Sequence, residues 1–203
     1  MKLTKQLIAA VVALAVASVS AEAQVFSFYT TGGFTGASCT SLVGSPAVCD
    51  INGSGSTLTF TGVGSLATPL ALFAPTASQF GSFRLAAGVS LPQSFSGPTT
   101  FTLYINQVAP TAGTSSIAGS LTGTLTSGIQ SDVIWTPGTG SVVIGGVRYS
   151  LSAGSSEITI GAPSAGASTI EGRIRYVPEP ASFALVSAGL AGLAVVARRR
   201  RSA

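Results

Sequence analysis

The sequence predicts an all-β body, a single antiparallel β-sandwich (jelly-roll-like), between an N-terminal signal peptide helix and a C-terminal transmembrane helix. Apolar and polar residues alternate with period two in short segments, and Gly, Ser, Thr and Pro separate these segments. Threonine, valine, isoleucine and aromatic residues suit a pleated, half-buried surface. Short strands at roughly regular spacing between turn residues are typical of a sandwich or barrel. No window before the C-terminal tail shows sustained helical periodicity.

The first 23 residues have the three parts of a secretory signal peptide. Two lysines form a positive n-region, residues 7–19 form an apolar h-region, and Ala21 and Ala23 form an A-x-A cleavage site before Gln24. Such a segment is removed from the mature protein and takes no part in its fold. We therefore expect the Sec translocon and signal peptidase as partners, and export of the chain that follows.

A single domain, residues 24–176, remains between the two ends of the chain, and it is electrically neutral. Its four acidic and four basic residues balance, so the net charge of +4 comes from the ends. Because the basicity belongs to the ends, we expect no nucleic acid partner for the body. The balancing residues are Asp50, Asp132, Glu157 and Glu171 against Arg84, Arg148, Arg173 and Arg175.

The alternating segments define the predicted strands in chain order. In each segment the apolar residues are expected to face the core and the polar residues to face solvent. Turns or short loops are predicted at 136–140 and 161–167, and an irregular loop at 32–55. The predicted inward residues are Phe26 and Phe28; Leu58 and Phe60; Phe80 and Phe83; Phe101, Leu103 and Ile105; Leu121 and Leu125; Val133 and Trp135; Val147, Tyr149 and Leu151; Ile158 and Ile160; and Ile170, Ile174 and Tyr176.

Cys39 and Cys49 are the two cysteines of the chain. In an exported protein, a pair ten positions apart is most simply a disulfide that closes one loop. The metal-site alternative needs further ligands, and the chain has no histidine to supply them.

The residue types of the body exclude most catalytic chemistry. The absence of histidine excludes Ser-His-Asp and Cys-His catalysis, and the absence of lysine from residues 24–176 excludes a P-loop or a Ser-Lys dyad. Residues 62–67 fit G-x-G-x-x-A, but Pro69 follows almost at once, so a β-turn is favoured over a dinucleotide site. A hydrolase that uses two of the four carboxylates is the alternative. We expect a protein that is not an enzyme and has no cofactor.

Asp50 opens the segment Asp-Ile-Asn-Gly-Ser, which looks like the start of a calcium loop. A full EF-hand loop has glutamate at the twelfth position, which is Thr61 here. An Asx-type turn at Asp50 is the favoured interpretation, and a calcium site is the alternative. Asn52 also begins an N-glycosylation sequon.

The C-terminal tail has three parts in order. Pro178, Glu179 and Pro180 precede an apolar run at 181–197, and four consecutive arginines follow it. About 17 apolar residues are at the short end of what can cross a bilayer core as a helix. Basic residues behind such a span indicate its cytoplasmic end. The cluster is Arg198, Arg199, Arg200 and Arg201.

This tail resembles the PEP-CTERM sorting signal of Gram-negative bacteria, over residues 177 to 201. The resemblance implies processing near the Pro-Glu-Pro motif by a membrane-embedded exosortase. It also implies an intermediate tethered to the inner membrane, followed by delivery to the cell surface or the extracellular space. An ordinary C-terminal membrane anchor is the alternative. The predicted division of the chain is therefore 1–23, 24–176 and 177–203.

Two functions remain open for the body. A structural protein of the cell surface or extracellular matrix, associated with biofilm or exopolysaccharide, fits a domain without catalytic groups. A carbohydrate-binding module for matrix polysaccharide is the alternative, because Tyr104 and Asn106 project from the polar side of their strand. Trp135 is predicted to lie in the core beside Val133, with an exposed, sugar-binding Trp135 as the other possibility.

Overall fold

The computed structural model describes residues 24–39, 43–70, 74–95, 97–154 and 156–177, with 189, 190 and 192 in the tail; for 24 and 66–70 it describes the backbone. The predicted signal peptide, the motif at 178–180, nearly all of the predicted span at 181–197 and the arginines at 198–201 lie outside these residues. Within the described part of the chain, no helix has the length and apolar character that a membrane crossing requires. The two predicted terminal helices stay predictions.

The described residues form fifteen β-strands and two short 3₁₀ helices, Ile51–Gly53 and Pro163–Ala165. All of the strand pairings found among them are antiparallel. The strands are β1 Gln24–Gly36, β2 Ala47–Asp50, β3 Thr57–Thr61, β4 Leu66–Leu70, β5 Thr76–Ala86, β6 Gln93–Ser94, β7 Thr99–Ala109, β8 Gly113–Thr122, β9 Thr124–Ser127, β10 Gln130–Ser131, β11 Ile134–Pro137, β12 Ser141–Ile144, β13 Val147–Leu151, β14 Ile158–Thr159 and β15 Ala167–Tyr176.

These strands are arranged in two six-stranded sheets and one three-stranded sheet. Sheet I has the order β14-β11-β8-β7-β1-β4, and sheet II has the order β12-β13-β15-β5-β3-β2. Sheet III, of order β10-β9-β6, is the small one. The prediction of an all-β, antiparallel body is confirmed, while the single, jelly-roll-like sandwich stays a prediction.

Strand β7 shows why period-two sequence produces these sheets. Its residues alternate between buried and half-buried along most of its length, with Phe101, Leu103 and Ile105 fully inside. Tyr104 and Asn106 lie on the opposite face, as the alternation predicts. The other predicted inward residues are also buried, except that Ile158 and Tyr176 are partly buried against the core.

Sheets I and II contribute to one hydrophobic core. Phe26 of sheet I contacts Tyr149 of sheet II, with ring centroids 5.5 Å apart. The ring centroid of Phe101 in sheet I lies 4.7 Å from that of Phe83 in sheet II. It lies 5.3 Å from that of Trp135, which also belongs to sheet I, and both pairs are edge to face. Such geometry adds to the stabilisation from area burial. Trp135 has no exposed surface, so its predicted place in the core is confirmed.

Two buried polar side chains also connect the sheets. The Thr30 hydroxyl of β1 donates to the carbonyl of Phe80 in β5 at 2.8 Å and accepts from the amide of Val63 at 2.9 Å. The Tyr149 hydroxyl of β13 donates to Oε1 of Gln107 in β7 at 2.8 Å. Because buried polar groups are costly unless paired, these bonds favour one arrangement of the sheets over others.

The predicted irregular loop at 32–55 is wrong in part. Strand β1 continues to Gly36, and β2 begins at Ala47. Gly32 is glycine because a Cβ there would lie 2.5 Å from the Phe60 ring and 2.6 Å from the Phe101 ring. The Thr-Thr-Gly-Gly sequence looks like a turn, but its glycines permit close packing inside a long strand.

The predicted turn at 62–67 ends earlier than expected, because β4 begins at Leu66 and pairs with β1. A Cβ at Gly62 would lie 2.0 Å from the carbonyl oxygen of Thr30, so the backbone here passes directly against β1. Gly62 therefore has a packing role, whereas a Cβ at Gly64 would meet no atom within 4 Å.

Candidate functional site

The outer face of sheet II carries the positive charge of the body. All four arginines of residues 24–176 lie in β5, β13 and β15, at positions that alternate with buried residues. Arg148 is directly opposite Arg175 in the pairing of β13 with β15. Arg173 is the next outward residue along β15 and is opposite Ser150. Arg84 lies near the other end of β15, opposite Ala167.

Arg148 is the half-buried member of this group. Its Nε atom is buried and has no hydrogen-bond partner among the described residues. Like charges directly opposite each other in antiparallel strands are destabilising. The adjacent guanidinium groups of Arg148 and Arg175 therefore cost the isolated body some stability, and an anion beside them would offset that cost.

The outer face of sheet I is chemically different, because none of its six strands contains a charged residue. Tyr29 of β1 is 40% exposed and pairs with Asn106 of β7. Thr31, two positions after Tyr29, pairs with Tyr104. The two tyrosines are therefore diagonal neighbours on one face. The Thr114 hydroxyl donates to Oδ1 of Asn106 at 2.9 Å. The outward residues around them are Ser27, Thr31, Thr100, Thr102, Thr114, Ser116, Ala118, Ser120 and Thr122.

This arrangement has two features of surfaces that bind carbohydrate. Aromatic rings on a rigid sheet present an apolar area at low entropic cost, and hydroxyl and amide groups beside them exchange hydrogen bonds with sugars. The alternation along β7 predicts that Tyr104 and Asn106 project from this side. The contribution of Tyr29 could not be predicted in the same way, because it depends on the register between β1 and β7.

Two of the four carboxylates are engaged in turns. Asp50 Oδ1 accepts a hydrogen bond from the amide of Gly55 at 2.9 Å, five positions on, so the carboxylate closes this loop by a longer bond than the predicted Asx turn, which bonds two positions on. The Asp132 carboxylate accepts from the amide of Thr124, and the Asp132 amide donates to the Thr124 carbonyl at 3.1 Å. Among the described residues, no group of three or more Asp, Glu, Cys or His side chains is placed to hold a metal ion.

A shallow cavity of about 760 Å³ lies beside strands β5 and β15. Glu171 is the only carboxylate among its described lining residues, and Arg173 is the only cation there. Glycoside hydrolysis needs a pair of carboxyl groups, and the described lining of this cavity supplies one. The other lining residues are Val63, Gly64, Ala77, Ser78, Gln79, Ser152 and Gly172.

The predicted disulfide is confirmed between Cys39 and Cys49. Cys39 follows β1 of sheet I, and Cys49 lies in β2 of sheet II, so the bond joins the two sheets covalently. Both residues are buried in the core, where they pack as apolar side chains.

The C-terminal tail begins directly after β15. Tyr176 closes the strand, and the amide of Val177 donates to the carbonyl of Gly146 at 2.7 Å. Gly145 and Gly146 both have positive φ and form the two-residue turn between β12 and β13, as such hairpins require. The chain therefore leaves the body at a fixed point, beside this turn.

The fold and this exit define a class of protein: an antiparallel all-β domain whose last strand leads directly into a C-terminal tail. Residues 177–201 of that tail match the PEP-CTERM protein-sorting motif. The motif indicates an exported protein that is anchored in a membrane and then processed by an exosortase. The body shows no significant match to a curated protein or to a solved structure.

Proposed function

We propose that this protein is a non-catalytic structural component of the cell surface or of the extracellular, exopolysaccharide-containing matrix. In this proposal the body is a single β-sandwich that the Sec translocon exports, signal peptidase releases before Gln24, and an exosortase cleaves near Pro178–Glu179–Pro180. The match at 177–201 is the observation that carries the sorting part. The engaged carboxylates Asp50 and Asp132 support the absence of catalysis.

Deletion of residues 178–203 tests the sorting part. The truncated chain should be exported but should fail to reach the cell surface, because the signal that the exosortase reads is missing. A matched variant with alanine at positions 178, 179 and 180 keeps the apolar run and the arginines, and it should accumulate in the inner membrane. Fractionation and immunoblotting measure both outcomes. Unchanged surface delivery of either variant would falsify the sorting proposal.

The outer face of sheet I supports a second candidate function, in which the body binds matrix polysaccharide. Tyr29 and Tyr104 form its aromatic pair, and the uncharged hydroxyl groups around them suit a neutral polymer. Binding to such a face would rely on stacking and hydrogen bonds and would depend little on salt.

A retention assay on immobilised matrix polysaccharide tests this second function. Tyr29→Ala with Tyr104→Ala should lower retention by tenfold or more, on the basis of roughly 1 kcal/mol for each aromatic contact. Arg84→Gln, on the outer face of sheet II, is the matched control and should leave retention unchanged. Equal retention of the double variant and the native chain would show that this face does not bind the polysaccharide.

A further inference from the structure

The arginines at the exit end of sheet II are placed where the tethered intermediate meets the membrane. Arg175 is two positions before Val177, whose amide is held by Gly146. Arg148 is two positions after Gly146 and directly opposite Arg175. The two guanidinium groups therefore lie beside the point at which the chain leaves the body.

The reach of the connecting chain limits how far this end can move from the bilayer. Four residues, 177–180, separate the end of β15 from the apolar run that begins at position 181. Four extended residues span at most about 14 Å. With the tail inserted, the exit end of the body is confined to the headgroup region or its edge, because the interfacial layer is itself several ångströms deep.

The rest of the surface at this end suits such contact. Val143 is directly opposite Arg148 in the pairing of β12 with β13, and half of its surface is exposed. Arg173 extends the positive surface by one outward position along β15. Arg148, Arg173 and Arg175 form what we call the exit arginines. Among the described residues, Glu171, beyond Arg173 on β15, is the nearest outward acid along that strand.

We propose that the exit arginines dock the tethered intermediate on anionic phospholipid headgroups of the membrane that holds its tail. This inference rests on the proposed sorting through a membrane-anchored stage. Arginine binds phosphate through a planar, bidentate fork, and the exposed side chains of Arg173 and Arg175 are the accessible donors for such an acceptor. Docking fixes the orientation of the body, and it presents the Pro-Glu-Pro segment at a constant depth to a membrane-embedded enzyme.

Amide hydrogen exchange of the complete chain in lipid nanodiscs tests this proposal. Discs of phosphatidylcholine alone are compared with discs that contain phosphatidylglycerol. The β12–β13 hairpin, residues 141–151, should exchange more slowly in the anionic discs. Each arginine near an anionic surface raises the docking equilibrium constant by a factor of about five. Arg173→Gln with Arg175→Gln should therefore lower the docked-to-undocked ratio by roughly 25-fold.

Arg84→Gln is the matched control, since Arg84 is on the same face but pairs with Ala167, eight positions before Arg175. It should keep the full lipid-dependent protection. Arg173 and Arg175 are both exposed, so the double variant should fold, and thermal unfolding checks this. Arg148→Gln, measured separately, should also reduce protection.

The possible outcomes separate the two proposals. If the chain co-elutes with the discs but its protection does not depend on the lipid, docking is wrong and sorting stands. The same holds if Arg84→Gln loses as much protection as the double variant. Failure of the chain to enter either kind of disc overturns the membrane-anchored stage and docking with it. If lipid composition has no effect but the exit variants lose binding to an acidic polysaccharide, the face serves a polymer and membrane docking is wrong.

Discussion

The outer faces of sheets I and II differ sharply, although both sheets bury their inner faces in one core. The strands of sheet I contain no charged residue, whereas those of sheet II contain six of the eight charges of the body. Folding does not require this difference, because exposed charges on antiparallel strands have little effect on stability. The difference is therefore informative about contacts outside the molecule.

Each face is matched to a different stage of the proposed route. The exit arginines of sheet II lie beside the start of the tail and act only while that tail is in the membrane. The tyrosines of sheet I lie on the opposite side of the core and remain available after processing. One small domain can thus have one surface for delivery and another for its final location.

Loss of the shared core should have the largest effect on the body. Trp135→Ala removes a fully buried indole that contacts Phe83 of sheet II, at a cost of about 3 to 5 kcal/mol. Ile134→Ala, one position away on the half-exposed side of β11, is the control and should cost much less. Denaturant unfolding measures both. If the sheets unfolded in two separate transitions, they would not form one cooperative unit.

Removal of the covalent link between the sheets should have the next largest effect. Cys39→Ser combined with Cys49→Ser opens the loop and should lower the free energy of unfolding by roughly 2 to 3 kcal/mol. The native protein in reductant should approach the same stability, and reductant should not affect the double variant. Equal stability with and without the bond would mean that the noncovalent core alone fixes the two sheets.

Tyr149→Phe tests the buried polar link between the sheets. The variant leaves Oε1 of Gln107 without the Tyr149 hydroxyl, which should cost about 1 to 2 kcal/mol. Tyr104→Phe, on the outer face of sheet I, should change the free energy of unfolding by less than about 0.5 kcal/mol. A similar cost for both variants would contradict a specific role for the buried bond.

The same tyrosine predicts a pH dependence. Burial raises the pKa of the Tyr149 hydroxyl far above its ordinary value of 10.0. The unfolded chain therefore ionises first, so this group lowers the stability of the fold as pH rises above 10. Unfolding measured between pH 9 and pH 11 should show a smaller loss for Tyr149→Phe than for the native chain. Identical slopes would place the hydroxyl in contact with solvent.

A new charge on sheet I should have the smallest effect on stability. Ser116→Arg puts a cation beside Tyr104, at an exposed position of β8, and should change the free energy of unfolding by at most about 0.5 kcal/mol. Polysaccharide retention should nevertheless fall, because the added side chain covers the tyrosine. A loss of stability above 1 kcal/mol would show that the fold itself requires the uncharged face.

Much of this architecture could be predicted from the sequence. Alternation in β7, β13 and β15 predicts which residues face the core, and the cysteine pair predicts the disulfide. The continuation of β1 through its glycines could not be predicted, because it depends on the Phe60 and Phe101 rings that lie against Gly32. Turn-like composition and close packing both select glycine, and only the tertiary contacts distinguish them.

The surface features depend on register, which local patterns do not contain. Arg148 and Arg175 are 27 positions apart in the chain and become neighbours only when β13 pairs with β15. Tyr29 and Tyr104 become diagonal neighbours in the same way, through the pairing of β1 with β7. The sorting motif, by contrast, is continuous in sequence, and for that reason it could be recognised without the fold.

Intact mass spectrometry of the protein recovered from the cell surface tests the central claim most directly. Sorting by an exosortase predicts a mature chain that begins at Gln24 and ends near the Pro178–Glu179–Pro180 motif, without the apolar run or the arginines. A surface form that retains the tail through Ala203 would contradict processing and would make the tail a permanent anchor.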